Sequence, residues 1–176
     1  METCTNYIIN ESTATLKAER VQNNYIHTKV IEGRNRVFNV AKPPIAIVKE
    51  SLKEYGMTYQ GALQAAKYKL DKKSTPPFRI CGAKDMYWFY FSSQKNLENT
   101  FVSLAHILDI QPDNKKQTKI ILTSGYYFYH PISYKVANGR KNQAILLRGR
   151  IEDSIKKQSS VHLIELPEKV SEEKEE

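Results

Sequence analysis

Few side chains in this 176-residue chain have the type and spacing that catalysis or metal binding requires. His27, His106, His130 and His162 stand far apart, and Cys4 and Cys81 belong to no CxxC pair and adjoin no histidine pair. Neither a zinc module nor a disulfide framework is expected from that spacing. The glycines at 33, 56, 61, 82, 125, 139 and 149 are too dispersed for a loop that cradles phosphate. Glu152 and Asp153 adjoin, but Lys156 and Lys157 follow one turn later, the spacing of solvated ion pairs on a helix. No catalytic residue, metal or cofactor is therefore expected.

The side chains that do cluster are cationic. Residues 135–157 hold Lys135, Arg140, Lys141, Arg148, Arg150, Lys156 and Lys157 against Glu152 and Asp153, a net of +5. Residues 67–79 hold Lys67, Lys69, Lys72, Lys73 and Arg79 against Asp71, a net of +4. Each Lys or Arg set on a phosphate releases condensed counterions, so several on one face give strong, salt-sensitive affinity for DNA. The whole chain is +8, and its last twelve residues carry −4, which leaves +12 on residues 1–164. Such a field draws polyanions, nucleic acid above all; surplus lysine also serves plain solubility, and composition leaves both readings standing. No helix-turn-helix, zinc-finger or leucine-zipper pattern precedes the clusters, and whether they share a face is not visible from spacing.

The elements that must position these residues follow from periodicity. Val30 to Val40 alternates about Gly33 and reads as a hairpin turning at Glu32–Asn35, carrying Arg34 and Arg36. Lys42-Pro43-Pro44 stops strand pairing, and Ile45–Leu52 fits a short helix or a strand equally. Tyr59–Leu70 has high helix propensity, with Leu63, Ala66 and Leu70 at three- and four-residue spacing. Met86–Phe91, MYWFYF, reads as a strand covered on both faces at the sheet centre; with no basic residue among the rings, core packing is favoured over base stacking. Phe101–Leu108 continues the sheet, and Lys119–Thr123 with Tyr126–His130 makes a second hairpin about Ser124-Gly125. Between Gly139 and Lys157, Ala144, Leu147, Ile151 and Ile155 form one helical stripe.

The expected class is therefore α+β: a single domain with an antiparallel sheet, one central helix and a C-terminal helix. Residues 1–24 read as a weakly patterned N-terminal arm, 25–157 as the folded body and 158–176 as a flexible acidic tail. No early cationic residue leads into a long apolar run, so neither export nor membrane insertion is expected.

The order of landmarks resembles the competence transcription factor (ComK) family across about residues 25–151. The matching pieces are Lys42-Pro43 after a strand, Tyr59 with Gly61 at a helix start, and Pro76-Pro77 after the basic loop. Pro131-Ile132-Ser133-Tyr134 and Leu147-Arg148 complete the series. The resemblance implies a cytoplasmic, nucleoid-associated activator of competence genes without catalysis or cofactor. It implies binding to AT-rich promoter boxes mainly through the minor groove, as dimers arranged in pairs, and help for RNA polymerase in engaging. Minor-groove readers sense width and potential, which Arg or Lys side chains supply, and that suits a basic protein without a recognition-helix motif. DNA contacts are expected from Arg34, Arg36, Lys67, Lys72, Lys73, Arg140, Lys141 and Arg148. Arg140 is favoured for groove entry because it follows the turn-forming Asn138-Gly139. The resemblance also implies a C-terminal motif read by a proteolytic adaptor, matched nearest by Leu163, Ile164, Leu166 and Pro167, without the aromatic residue of the family. Where members often carry a basic pair after the helix-start glycine, this chain has Ala62-Leu63. That departure and the missing tail aromatic motivate an alternative reading, an interaction module or inactive paralogue that pairs with a related activator without strong promoter binding.

Overall fold

Five successive side chains from Met86 to Tyr90 are all buried, although neighbours on a strand point to opposite faces. The sheet around them must therefore be covered on both sides. In the computed structural model, which describes residues 3–34, 36–71, 74–93 and 96–160, two different layers supply that cover.

The main sheet has seven strands, β1 (Thr3–Cys4), β2 (Thr13–Arg20), β3 (Ile26–Glu32), β4 (Arg36–Val40), β5 (Phe78–Cys81), β6 (Met86–Tyr90) and β7 (Thr100–Ser103), in the order β1-β4-β3-β2-β7-β6-β5. All its pairings are antiparallel except β1 with β4. Leu16, Val30, Phe38, Trp88 and Phe101 on one face meet helices α1 (Pro44–Glu54) and α2 (Tyr59–Leu70) through Ile47, Leu52 and Leu63. The other face, with Ala14, Phe89 and Val102, meets a second sheet of β8 (Ile107–Asn114), β9 (Gln117–Leu122) and β10 (Tyr127–His130). The long helix α3 (Tyr134–Ser160) closes that side through Ala137 and Ala144.

The α+β class, the antiparallel pairing, both hairpins and the span of α2 agree with the expectations from sequence. Four features differ. Residues 3–20 are not a loose arm: β1 and β2 are strands of the main sheet, and Ile9 is fully buried. Ile45–Leu52 lies in a helix, because Pro44 sits at its first turn with φ already suited and Ile45, Ile47, Val48 and Leu52 then all point inward. The strand β6 is next to an edge rather than central; its burial comes from layers above and below. The run after Phe101 leaves the first sheet at a 3-10 turn, Leu104–His106, and β8 starts the second sheet.

Two local signals set α2. The Thr58 hydroxyl accepts from the Gly61 N–H at 3.0 Å, and a Cβ on Gly61 would lie 3.0 Å from that oxygen, so the cap favours glycine there. At the other end Asp71 adopts the left-handed conformation (φ 50°), and its N–H donates to the Lys67 carbonyl.

His130 belongs to the core between the sheets. Its ring lies 4.6 Å from that of Phe91, and burial, with a smaller push from Lys17, lowers its pKa to about 4. The unfolded chain takes up this proton near pH 6.5 and the folded chain only near 4, so the contribution to stability is present above 6.5 and lost as pH falls toward 4. The full loss is about 3 kcal/mol by linkage. Urea unfolding at a series of pH values is expected to show this decline, and His130→Phe is expected to flatten it between pH 6.5 and 4. An unchanged slope in the variant would assign the acid sensitivity to other groups.

Candidate nucleic-acid interface

The two basic clusters, separated by more than fifty residues of sequence, meet in the fold. Helix α2 exposes Ala66 and Leu70 toward α3, where Leu147 and Ile151 receive them beside Tyr87 of β6. Polar ties finish the seam. The Lys69 ammonium donates to the Ser154 hydroxyl at 2.7 Å, and the Arg150 Nη1 donates to the Lys69 carbonyl at 2.5 Å. That carbonyl belongs to the last turn of α2, where a cation is favoured by the helix dipole. A groove of about 270 Å³ runs along the seam, lined by Tyr68, Lys69, Arg79, Ile151 and Ser154 among others, with Tyr68 85% exposed.

The residues expected to bind DNA divide by position. Lys67 is on α2 and has no partner among the described residues; it lies about 200° around the helix from Lys69, on the flank away from α3. Lys141 is on α3, partly exposed, and its charge helps hold the Asp109 carboxyl below its usual range, after the Gln111 amide and the Ile110 N–H. Arg148 is engaged by Asp85 at 2.9 Å and Glu152 at 3.0 Å, and both keep its guanidinium charged. Glu152 thus pairs one turn back along α3 with Arg148. Arg34 and Arg36 sit on the β3–β4 hairpin, where Arg36 pairs with Glu32 at 2.9 Å and covers the Phe38 ring at 4.7 Å. The sheet order separates β4 from β5, the edge beside α2, by five strand spacings, about 24 Å. Lys72, Lys73 and the segment Leu163, Ile164, Leu166 and Pro167 lie outside the described residues.

Arg140 has an internal task. Its Nη1 donates to the Thr75 carbonyl at 3.1 Å, its Nε is buried without a partner among the described residues, and burial lowers its pKa. The side chain ties α3 to the segment after α2, which positions both clusters. Replacing Arg140 by alanine is expected to lower stability by about 1–3 kcal/mol, as loss of a charged hydrogen bond does. Thermal unfolding checks this, and an unchanged Tm would free Arg140 for a role in the groove.

Ala62 and Leu63 are 7% and 1% exposed and face the core. Lys69, Arg79 and Arg150 stood in the clusters by sequence, but nothing in their spacing distinguished them as seam residues. Contacts between α2 and α3 span some eighty positions and follow from tertiary packing alone.

The fold is an α+β body in which Lys69 of α2 and Arg150 of α3 meet beside the edge of the main sheet. Among its described residues, no His, Cys, Asp and Glu are grouped to hold a metal ion, and no helix is long and apolar enough to cross a membrane. Residues 4–156 match the family model described as ComK protein, and the chain belongs to that family. It is similar to the competence transcription factor of Bacillus subtilis (strain 168), with 25% identity over 150 residues, covering 85% of this chain and 77% of that protein. The family is one of transcription factors and not of enzymes. No solved structure matches the chain.

Proposed function

We propose that this protein is a DNA-binding activator of competence genes that recognises AT-rich promoter boxes mainly through the minor groove. The observation that supports the reading is the packing of α2 against α3, which brings Lys69 of one basic run beside Arg150 of the other. The kinship with a competence transcription factor supports the same reading. The protein acts in the cytoplasm, on the nucleoid, as a homo-oligomer of dimers, and it helps RNA polymerase engage. Lys67, Lys69 and Arg150 are the main phosphate contacts, with Lys72, Lys73 and Lys141 adding to the field; Arg34 and Arg36 form a second, separate point of contact. The tail segment Leu163, Ile164, Leu166 and Pro167 serves a proteolytic adaptor. The reading as a paired module without promoter binding drew on Ala62-Leu63, and these two side chains face inward, where no phosphate contact is made.

Titration of AT-rich and GC-rich duplexes of equal length tests the proposal. AT-rich DNA is expected to bind at least tenfold more tightly, and a small minor-groove ligand is expected to displace the protein while major-groove methylation leaves binding unchanged. Equal affinity for both duplexes would remove the minor-groove reading.

A further inference from the structure

The solvent face of α3 is not explained by anything within one chain. Leu146, 46% exposed, lies on the outer face in the middle of the helix, and Ile145, 50% exposed, lies 100° around from it at the border of that face. Gly139 and Gly149 flank them, and a Cβ on either would meet no atom within 4 Å, so internal packing does not require them. Each glycine destabilises a helix by about 1 kcal/mol relative to alanine. Lys135 and Asp153 stand farther out, both exposed and with no partner among the described residues. They are eighteen residues apart, which is five turns at 3.6 residues per turn, so they lie on the same line along the helix.

We propose that this face pairs with the same face of a second copy, the two α3 helices running antiparallel about a two-fold axis at the level of Ala144. The pattern is self-complementary under that operation. Lys135 faces Asp153 of the second copy, Gly139 faces Gly149, and Asn142 faces Leu146, each pair being equidistant from position 144. A two-fold interface requires this reciprocity, residue i meeting j and j meeting i. The two glycines remove side chains on either side of the crossing, Leu146 lies at its centre, and Ile145 borders it. The other orientation, with helices parallel, would set Lys135 on Lys135 and Asp153 on Asp153. The pairing occupies the outer face of α3, while Arg150, Lys69 and the seam with α2 stay on its flank. The inference rests on the homo-oligomer part of the proposed function and names the surface that forms it.

The test is sedimentation equilibrium of the full chain in 0.1 M salt, with circular dichroism to confirm folding. K135D and D153K are each expected to weaken dimerisation about tenfold, because each sets like charges together twice. The double variant K135D/D153K is expected to return the dissociation constant to within about threefold of the wild type. Gly149→Leu is expected to raise thermal stability of the monomer while weakening dimerisation, a combination that simple misfolding does not give. A wild-type dimer that neither charge reversal alters, or a double variant no tighter than the singles, would overturn the α3 pairing and leave the oligomer reading intact. A wild type that stays monomeric at all concentrations would overturn both.

Discussion

Replacing Lys67 and Lys69 together by glutamine is expected to reduce affinity for an AT-rich duplex roughly 30-fold at 0.15 M salt. The magnitude follows from counterion release. Two lost phosphate contacts lower the slope of log K against log salt by about 1.8, which at that salt concentration amounts to about 1.5 decades. The two lysines occupy the last turn of α2 on its opposite flanks, Lys69 at the seam and Lys67 away from it, so charge is lost on both sides of that helix. Neither is deeply buried, and the bond from Lys69 to Ser154 lies near the surface, so Tm is expected to fall by little. Preference for AT-rich over GC-rich DNA is expected to persist, because phosphate contacts position the protein without reading sequence. The comparison is R34Q/R36Q, which removes the same charge from the second point of contact on the far side of the sheet and is expected to lower the slope less. Salt titration of both variants decides between the surfaces. A wild-type slope in K67Q/K69Q together with a reduced slope in R34Q/R36Q would move the DNA to the hairpin.

Trp88→Ala is expected to have the largest effect on folding. Trp88 is 1% exposed and pairs with Phe78 on one side and Ser103 on the other, so its ring lies in the middle of the core under α1 and α2. Truncating a buried indole to a methyl group costs about 3–5 kcal/mol, a large part of the roughly 5–15 kcal/mol that holds a domain of ordinary stability together. Trp88→Phe is expected to cost far less, about 1 kcal/mol. The indole Nε1 is buried with no hydrogen-bond partner among the described residues, so phenylalanine removes an unsatisfied donor while keeping most of the ring. Urea unfolding followed by circular dichroism measures both. Equal losses in the two variants would show that the indole N–H is satisfied in solution. DNA binding adds a second contrast: Trp88→Ala loses it through unfolding at moderate urea, whereas K67Q/K69Q loses it in a protein that stays folded.

Much of the local structure was legible because its causes are local. The limits of α2 come from a threonine cap three residues before a glycine and from apolar positions at helical spacing, all contained in fourteen residues. The hairpins follow from alternation about a glycine turn, as at Gly33 (φ 58°) and Gly125 (φ 85°). The family, too, was legible, because its marks are short strings in a set order. Ile45–Leu52 was ambiguous for the same reason: a short apolar run satisfies a helix and a strand alike until something covers one face. Residues 3–20 lacked a clear pattern, since Thr13 and Thr15 are polar yet buried between neighbouring strands.

By itself, then, the sequence determined the balance of charge, the turns, the caps and the apolar stripes, each of which depends on residues within a few positions of one another. Only the tertiary structure decided which cations share a surface. Lys69 meets Ser154 and Arg150 across more than eighty residues, Arg140 reaches back to Thr75, and Arg148 is taken by Asp85. The side-chain identities permit many such partners. Which of them are chosen follows from how α3 must lie to bury Ala137, Ala144 and Leu147, a condition set by packing against both sheets and α2 at once.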